Sequence, residues 1–172
     1  AAGDDVVFPA TVTSVTGVPT SSIRSITVLG TSGTLTMSSA NFFGDRLTVT
    51  GGFSLLAGRT IVIGGAGLGN RLNMTFTSTC IATIAGTFII NPSLSIRELR
   101  NEGDLTITAT GLVNGDSPSA FILTTGATLR SGSAAGIAAS GASGNVQTPT
   151  RDFSNDANYI YNGTAAQIAG SG

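Results

Sequence analysis

A short phrase that favours β-strands recurs along most of the chain, and this repetition constrains the fold more than any other feature. Each phrase alternates threonine or another polar residue with aliphatic residues, and glycine or serine closes it. Pairs of phrases recur at roughly 20 to 25 residues, a period typical of solenoid proteins. The phrases are Ser25–Val28, Thr34–Met37, Leu47–Thr50, Thr60–Ile63, Leu72–Thr75, Gly86–Ile90, Leu105–Thr108 and Ala127–Leu129.

Alternation within the phrases predicts strands with one buried side and one exposed side. Leu47 and Val49 face one way in an extended chain, as do Leu105 and Ile107, while the threonines between them face the other. Threonine suits a strand because its branched Cβ fits the pleated surface. Small residues punctuate the runs and predict turns at Gly51–Gly52, Gly64–Gly65, Asn114–Gly115 and Ser131–Gly132.

Many short strands fit either a solenoid or a β-sandwich. Sandwiches usually carry aromatic side chains in the core, whereas only 6% of this chain is aromatic and its phrases resemble one another. We therefore predict an all-β, right-handed parallel β-helix, with a β-sandwich as the alternative. The handedness follows the general rule for crossovers between parallel strands.

The domain organisation follows from the same pattern. Residues 1–145 are predicted to form the solenoid, with an N-terminal cap near residues 1–20, and residues 146–172 the start of a further repeat or a C-terminal coil. The charged segment Asn91–Asp104 is predicted to be an extra loop or an irregular coil, with a short helix over Leu94–Asn101 as the alternative.

Composition excludes several classes of partner. Charged residues make up 10% of the chain, against about 25% in an ordinary soluble domain. The net charge is −1 and every basic side chain is an arginine, which argues against nucleic acid and against anionic membrane surfaces. No apolar run approaches the roughly 20 residues of a membrane helix, so we expect no membrane insertion.

The sequence contains few of the residue types that commonly act in catalysis. Histidine and lysine are absent, which excludes a Ser-His-Asp triad and a phosphate-binding P-loop. Cys80 is predicted to be a small buried hydrophobe, and the glycine-rich run Gly64–Gly69 a turn. Paired carboxylates acting on a polysaccharide are the remaining enzymatic option, and their candidates are Arg97, Glu98, Arg100, Glu102 and Asp104. We interpret that cluster as a solvated, self-paired charged loop, and predict that the chain is not an enzyme.

Two binding sites are candidates near the C-terminal end of the sequence. Tyr159 and Tyr161 lie two residues apart, so both point to one side of a strand, where they stack on a sugar or pack against a next repeat. Asp152, Asn155 and Asp156 offer oxygen ligands for Ca²⁺, or cap a polar turn. No other cofactor is expected.

Threonine rows raise a third binding hypothesis. In a flat solenoid, neighbouring coils lie about 4.8 Å apart, so stacked Thr-x-Thr motifs form an array that could match an ice surface. The relevant residues are Thr48, Thr50, Thr106 and Thr108. Thr60–Ile63 interrupts the pattern, and the alternative is that the threonines are polar strand fillers.

Three stretches carry a resemblance to a known group of proteins: DDVVFPATVTSVTGVPTSSIRSITV, LTVTGGFSLLAGRTIVIGG and GNVQTPTRDFSNDANYIYNGTAAQIAG. The chain resembles the repetitive Thr/Ser/Gly-rich β-solenoid surface proteins of Bacteroidetes. That resemblance implies export by the type IX secretion system, an extracellular location and an adhesin-like role. It supplies no catalytic residue to transfer.

These lines together predict a non-enzymatic structural or adhesive segment of a secreted bacterial cell-surface protein. Its expected partners are a cell-surface glycan or neighbouring repeats of the same protein. The alternatives are a β-helix that binds or acts on polysaccharide, and an ice-binding solenoid.

Overall fold

A computed structural model describes residues 3–41, 44–64, 71–91 and 97–170, and within these ranges the chain is built of strands and turns without a helix. The strands are β1 (Asp5–Phe8), β2 (Ser14–Val15), β3 (Ser21–Val28), β4 (Thr34–Met37), β5 (Asp45–Leu55), β6 (Thr60–Gly64), β7 (Leu72–Phe76), β8 (Ile81–Ile84), β9 (Thr87–Asn91), β10 (Arg97–Asn101), β11 (Asp104–Ile107), β12 (Leu112–Gly115), β13 (Ser119–Leu123), β14 (Thr128–Ser131), β15 (Thr150–Phe153) and β16 (Asn158–Tyr161).

The strands pair as stacked coils of a parallel β-solenoid, which confirms the predicted fold class. Asp45 lies opposite Leu72, and Met74 opposite Leu99, so partners are 27 and 25 residues apart along the chain. Every strand pairing within the described ranges is parallel. The alternative of antiparallel sheets in a β-sandwich is therefore wrong.

Each complete coil contributes to three faces. The first face contains residues 21–23 of β3, residues 45–49 of β5, and β7, β10, β13 and β15. The second face contains β1, the remainders of β3 and β5, and β8, β11, β14 and β16. The third face contains β2, β4, β6, β9 and β12.

Three of the sequence expectations about irregular segments are wrong. Residues 97–101 and 104 are neither an extra loop nor a helix, because they lie in β10 and at the start of β11, and both strands pair on two sides. They belong to a coil of the solenoid, which was the other form predicted for Asn91–Asp104, and residues 92–96 of that segment lie outside the described residues. Gly51–Gly52 is not a turn that ends a strand, since β5 runs through it. There β5 crosses from the first face to the second, and its register with β3 shifts. Asn114–Gly115 likewise lies inside β12.

Both ends of the described chain belong to the solenoid. β1 pairs with β3 and β2 with β4, so residues 5–15 form part of a coil. β15 and β16 stack on β13 and β14 and continue the first and second faces. The glycine-rich turn predicted over Gly64–Gly69 lies, from residue 65 onward, outside the described residues.

The core consists of the alternate side chains that point into the coils. Along the second face Ile26, Phe53, Ala82 and Leu105 are stacked in register and almost fully buried. The ring of Phe53 lies 4.9 Å from the ring of Phe76 and 6.0 Å from that of Phe88, centroid to centroid, which joins side chains from all three faces. Side chains from successive coils thus share one continuous apolar interior.

At the corner between the second and third faces, the backbones of successive coils lie too close together at Gly86 for a side chain there. A Cβ added at Gly86 would lie 2.1 Å from the carbonyl oxygen of Arg59, so only glycine fits there. The Arg59 side chain is buried beside this corner, and its guanidinium donates to the carbonyl of Ser32 at 2.7 Å and reaches those of Ala10 and Val12 at 3.5 Å. This arginine therefore ties together loops from successive coils.

Candidate functional site

The outward side of the first face carries a cluster of two arginines that share one carboxylate. Arg46 Nη2 lies 2.6 Å from Glu98 Oε1, and Arg100 Nε lies 3.5 Å from the same oxygen. Arg46 also donates to the hydroxyl of Thr75 at 2.6 Å. These side chains come from three successive coils, so the cluster links β5, β7 and β10 across the surface.

The second face carries ion pairs at its margins. Arg130 donates through Nε and Nη2 to the two carboxylate oxygens of Asp104, at 2.8 and 2.7 Å. Arg24 makes a paired contact with Asp5 in the same way. This hydrogen bonding lowers the pKa of Asp5 to about 2.

The carboxylates that were candidates for the enzymatic alternative are distributed over different faces. Glu98 lies outward on the first face, whereas Asp104 lies outward on the second, and each is engaged by arginine. Arg97 points inward and is buried, and Glu102 lies in the turn between the two strands. The cluster is therefore distributed over two faces and a corner, and within it Arg100 pairs with Glu98, while Arg46 and Arg130 from other coils pair with Glu98 and Asp104.

The outward side of the third face differs from the other two because its strand positions carry no charge within the described residues. Two adjacent rows run across β4, β6 and β9, and all six members are threonine, valine or isoleucine. We call this the threonine patch: Thr34, Thr60 and Thr87 in one row, and Thr36, Val62 and Ile89 in the other. Leu112 and Asn114 of β12 extend the two rows.

The four threonines proposed as an ice-binding set do not form one array. Thr48 lies on the first face, opposite Thr75, whereas Thr106 lies on the second, between Thr83 and Arg130. Thr50 is at the crossing point of β5, where its hydroxyl donates to the carbonyl of Ile23 at 3.1 Å. Thr108 follows β11 at a corner. Successive members of each row of the threonine patch are 26 and 27 residues apart along the chain, a spacing that an alignment of the Thr-x-[Thr/Val/Ile] triplets would have indicated.

Tyr159 and Tyr161 point to the same side of β16, as predicted, and that side is the interior. They lie in register with Leu129 and Ser131. The Tyr159 hydroxyl donates to the carbonyl of Ser154 at 2.7 Å, and its ring packs edge-on against Phe153. Burial raises the pKa of Tyr159. Tyr161 is 40% exposed at the end of the stack.

The proposed calcium ligands are split between a strand and a turn. Asp152 lies outward on β15, opposite Ile122, while Asn155 and Asp156 lie in the following turn. In that turn the backbone N–H of Asp156 donates to Ser154 Oγ at 3.2 Å. Among the residues that the structure describes, no group of three or more His, Cys, Asp or Glu side chains could hold a metal ion. Ca²⁺ binding by Asp152, Asn155 and Asp156 stays a prediction.

Cys80 is buried in the core, as the sequence predicted. Burial raises the pKa of its thiol to about 11, because an ionised sulfur would lose its hydration there. A thiol in this state is a poor nucleophile at neutral pH.

The fold and its surfaces define the class of the protein as a parallel β-solenoid. Comparisons with protein-family models, with curated proteins and with solved structures found no significant match to this chain. The described part of the chain contains no helix long and apolar enough to cross a membrane.

Proposed function

We propose that this chain is a non-enzymatic structural or adhesive segment of a secreted bacterial cell-surface protein. The observation that carries the proposal is the parallel hydrogen bonding that joins each coil to the next, for example β6 to β9 and β9 to β12. A stack joined in this way, with a shared apolar interior, is a stiff unit suited to holding a binding part away from a cell. The extracellular location and the type IX export route rest on the sequence resemblance.

The side-chain chemistry supports a non-enzymatic role. Glu98 and Asp104 are each held by arginine and lie on different faces, whereas glycosidases need two carboxyl groups that flank one bond. The sequence has no histidine to act as a general base. Cys80 is buried with a raised pKa.

The N-terminal end supports docking of a neighbouring repeat. An apolar concavity of about 340 Å³ opens there, lined by side chains that include Phe8, Ile23 and Leu47. Within the described residues, the side of residues 21–23 away from β5 has no strand partner. A parallel strand from an adjacent repeat would both continue the sheet and bury this apolar surface.

Retention under flow tests the adhesive role. Beads coated with the chain are passed over an array of bacterial surface polysaccharides, with Ca²⁺ or with a chelator. We expect retention on at least one glycan, reduced by Tyr161→Ala if the end of the solenoid binds and unchanged by Ile81→Ala on the second face. Absence of retention on every glycan would refute adhesion, and release of reducing ends or unsaturated sugars would refute the non-enzymatic assignment.

A force measurement tests the structural role separately. The chain is held by its two termini and stretched, and we expect coils to be released one at a time. A coil of about 25 residues adds roughly 90 Å of extended chain. A smooth extension at low force, without such steps, would contradict the stiff stack.

A further inference from the structure

We propose that the threonine patch on the third face is an ice-binding surface. The inference goes beyond the structural role, does not depend on it, and concerns a different set of residues from the threonines singled out by sequence. Three properties of the patch carry it: its spacing, its stiffness and its lack of charge.

The patch is a two-dimensional lattice. Thr34, Thr60 and Thr87 lie in directly paired positions, as do the residues two places further along each strand. Neighbouring strands are about 4.8 Å apart, and positions i and i+2 on one strand are roughly 6.6 Å apart. The patch therefore repeats regularly in two directions, as the oxygen rows of an ice surface also do. The pairing of β4, β6, β9 and β12 is continuous, without the register shift that interrupts β3 and β5 on the other sheet.

The side chains of the patch are stiff. All six members are β-branched, so each has a restricted choice of χ1. Each strand is also held on both sides within the sheet, β6 between β4 and β9. Binding to a rigid crystal therefore costs little side-chain entropy, whereas long flexible side chains such as those of Arg46 and Arg100 on the first face would have to be immobilised.

The patch offers hydroxyls and methyl groups without charge. Within the described residues, no hydrogen bond joins the hydroxyls of Thr34, Thr36, Thr60 or Thr87 to another protein group, and none of the strand positions on this outward side is ionised. By contrast, the hydroxyls of Thr77 and Thr79 at a corner are bonded to protein. Free hydroxyls can bond to lattice water, and the neutral surface matches a neutral crystal, whereas charged groups hold water in other orientations.

Ice-crystal shaping and thermal hysteresis of the full chain test the proposal. We expect ice crystals in a solution of the wild-type chain to grow with facets, and the freezing point of that solution to lie below its melting point. Thr60→Lys places a long charged side chain at the centre of the patch and should abolish both effects. Thr83→Lys is the matched control, because Thr83 is also an outward, mid-strand threonine, but lies on the second face. Val62→Lys provides a second disruption of the patch, and circular dichroism with thermal melting checks that each variant folds.

Several results would overturn the proposal. If ice crystals stay round and grow at the colligative freezing point in the presence of the wild-type chain, the proposal is wrong. Equal loss with Thr83→Lys would show that the patch is not the surface involved. A pull-down on crystalline cellulose and chitin is run in parallel, and binding there that Thr60→Lys removes, without any effect on ice, would assign the patch to a polysaccharide crystal instead.

Discussion

Replacing Asn145 with alanine should destabilise the C-terminal part of the solenoid more than any change of an exposed polar residue. Asn145 is almost fully buried, and its amide makes four hydrogen bonds. Its Oδ1 accepts from Ser131 Oγ and from the backbone N–H of Ser133, both at 2.8 Å. Its Nδ2 donates to the carbonyls of Thr108 and Gly111, at 2.9 and 2.6 Å. One side chain thus joins the loop after β14 to the corner after β11.

The magnitude follows from those four bonds. Each hydrogen bond contributes about 0.5–1.5 kcal/mol net, and buried groups left without a partner cost more. Water entering the vacated space would offset part of the loss, so we expect the free energy of unfolding to fall by about 3 kcal/mol. For 172 residues the unfolding entropy is roughly 0.36 kcal/mol/K, which converts this loss into a fall in Tm of about 8 °C.

The assay is thermal unfolding with amide hydrogen exchange, and Asn162→Ala is the matched control because Asn162 is exposed in the same end of the solenoid. We expect the faster exchange in Asn145→Ala to be concentrated in β14 and in the pairing of Val113 with Val146, since neighbouring coils carry most of the coupling in a solenoid. If Asn145→Ala and Asn162→Ala melt at the same temperature, the reasoning about buried amide satisfaction is refuted.

Three further predictions concern the core, an acidic site and the thiol. Phe76→Ala removes a fully buried ring from the aromatic cluster and should lower the free energy of unfolding, measured by chemical denaturation, by about 3–5 kcal/mol. Ile81→Ala changes a side chain that is 71% exposed and should leave the free energy of unfolding almost unchanged. Equal losses in the two variants would contradict the inward orientation of Phe76. Hydrogen bonds, first from Ser39 and then from Thr20, lower the pKa of Asp45. The contribution of Asp45 to stability is therefore present above its unfolded-state pKa and is lost as the pH falls through its folded-state pKa. Asp45→Asn should make the free energy of unfolding less dependent on pH in that window, and an unchanged pH profile would count against the prediction. The Cys80 thiol, buried with a pKa of about 11, should react with a disulfide reagent at pH 8 only after denaturant is added, and rapid labelling of the folded chain would show that the site opens.

The strands could be predicted from the sequence because their signal is local. Alternation of aliphatic and polar residues decides which side of a strand is buried, and for this reason Leu47, Val49, Leu105 and Ile107 are all in the core. The lack of histidine and lysine likewise limits the available chemistry whatever fold the chain adopts. The strands over residues 97–104 were not predicted, because the alternation there involves charged residues on both sides of the strand. Arg97 points inward, while its neighbour Glu98 points outward.

Which residues of different coils become neighbours depends on the three-dimensional arrangement of the coils. Partners are 20 residues apart between Asp5 and Ser25 but 30 apart between Thr128 and Asn158, and these lengths are set by the turns, the corners and the crossing of β5. Similar Thr-x-Thr phrases therefore end on different faces, as Thr48 and Thr106 do. One row contains Thr34, Thr60 and Thr87 because the two coils that separate them have nearly equal lengths. Local periodicity determines the direction of each side chain, whereas the composition of a face depends on the summed length of every turn around the coil.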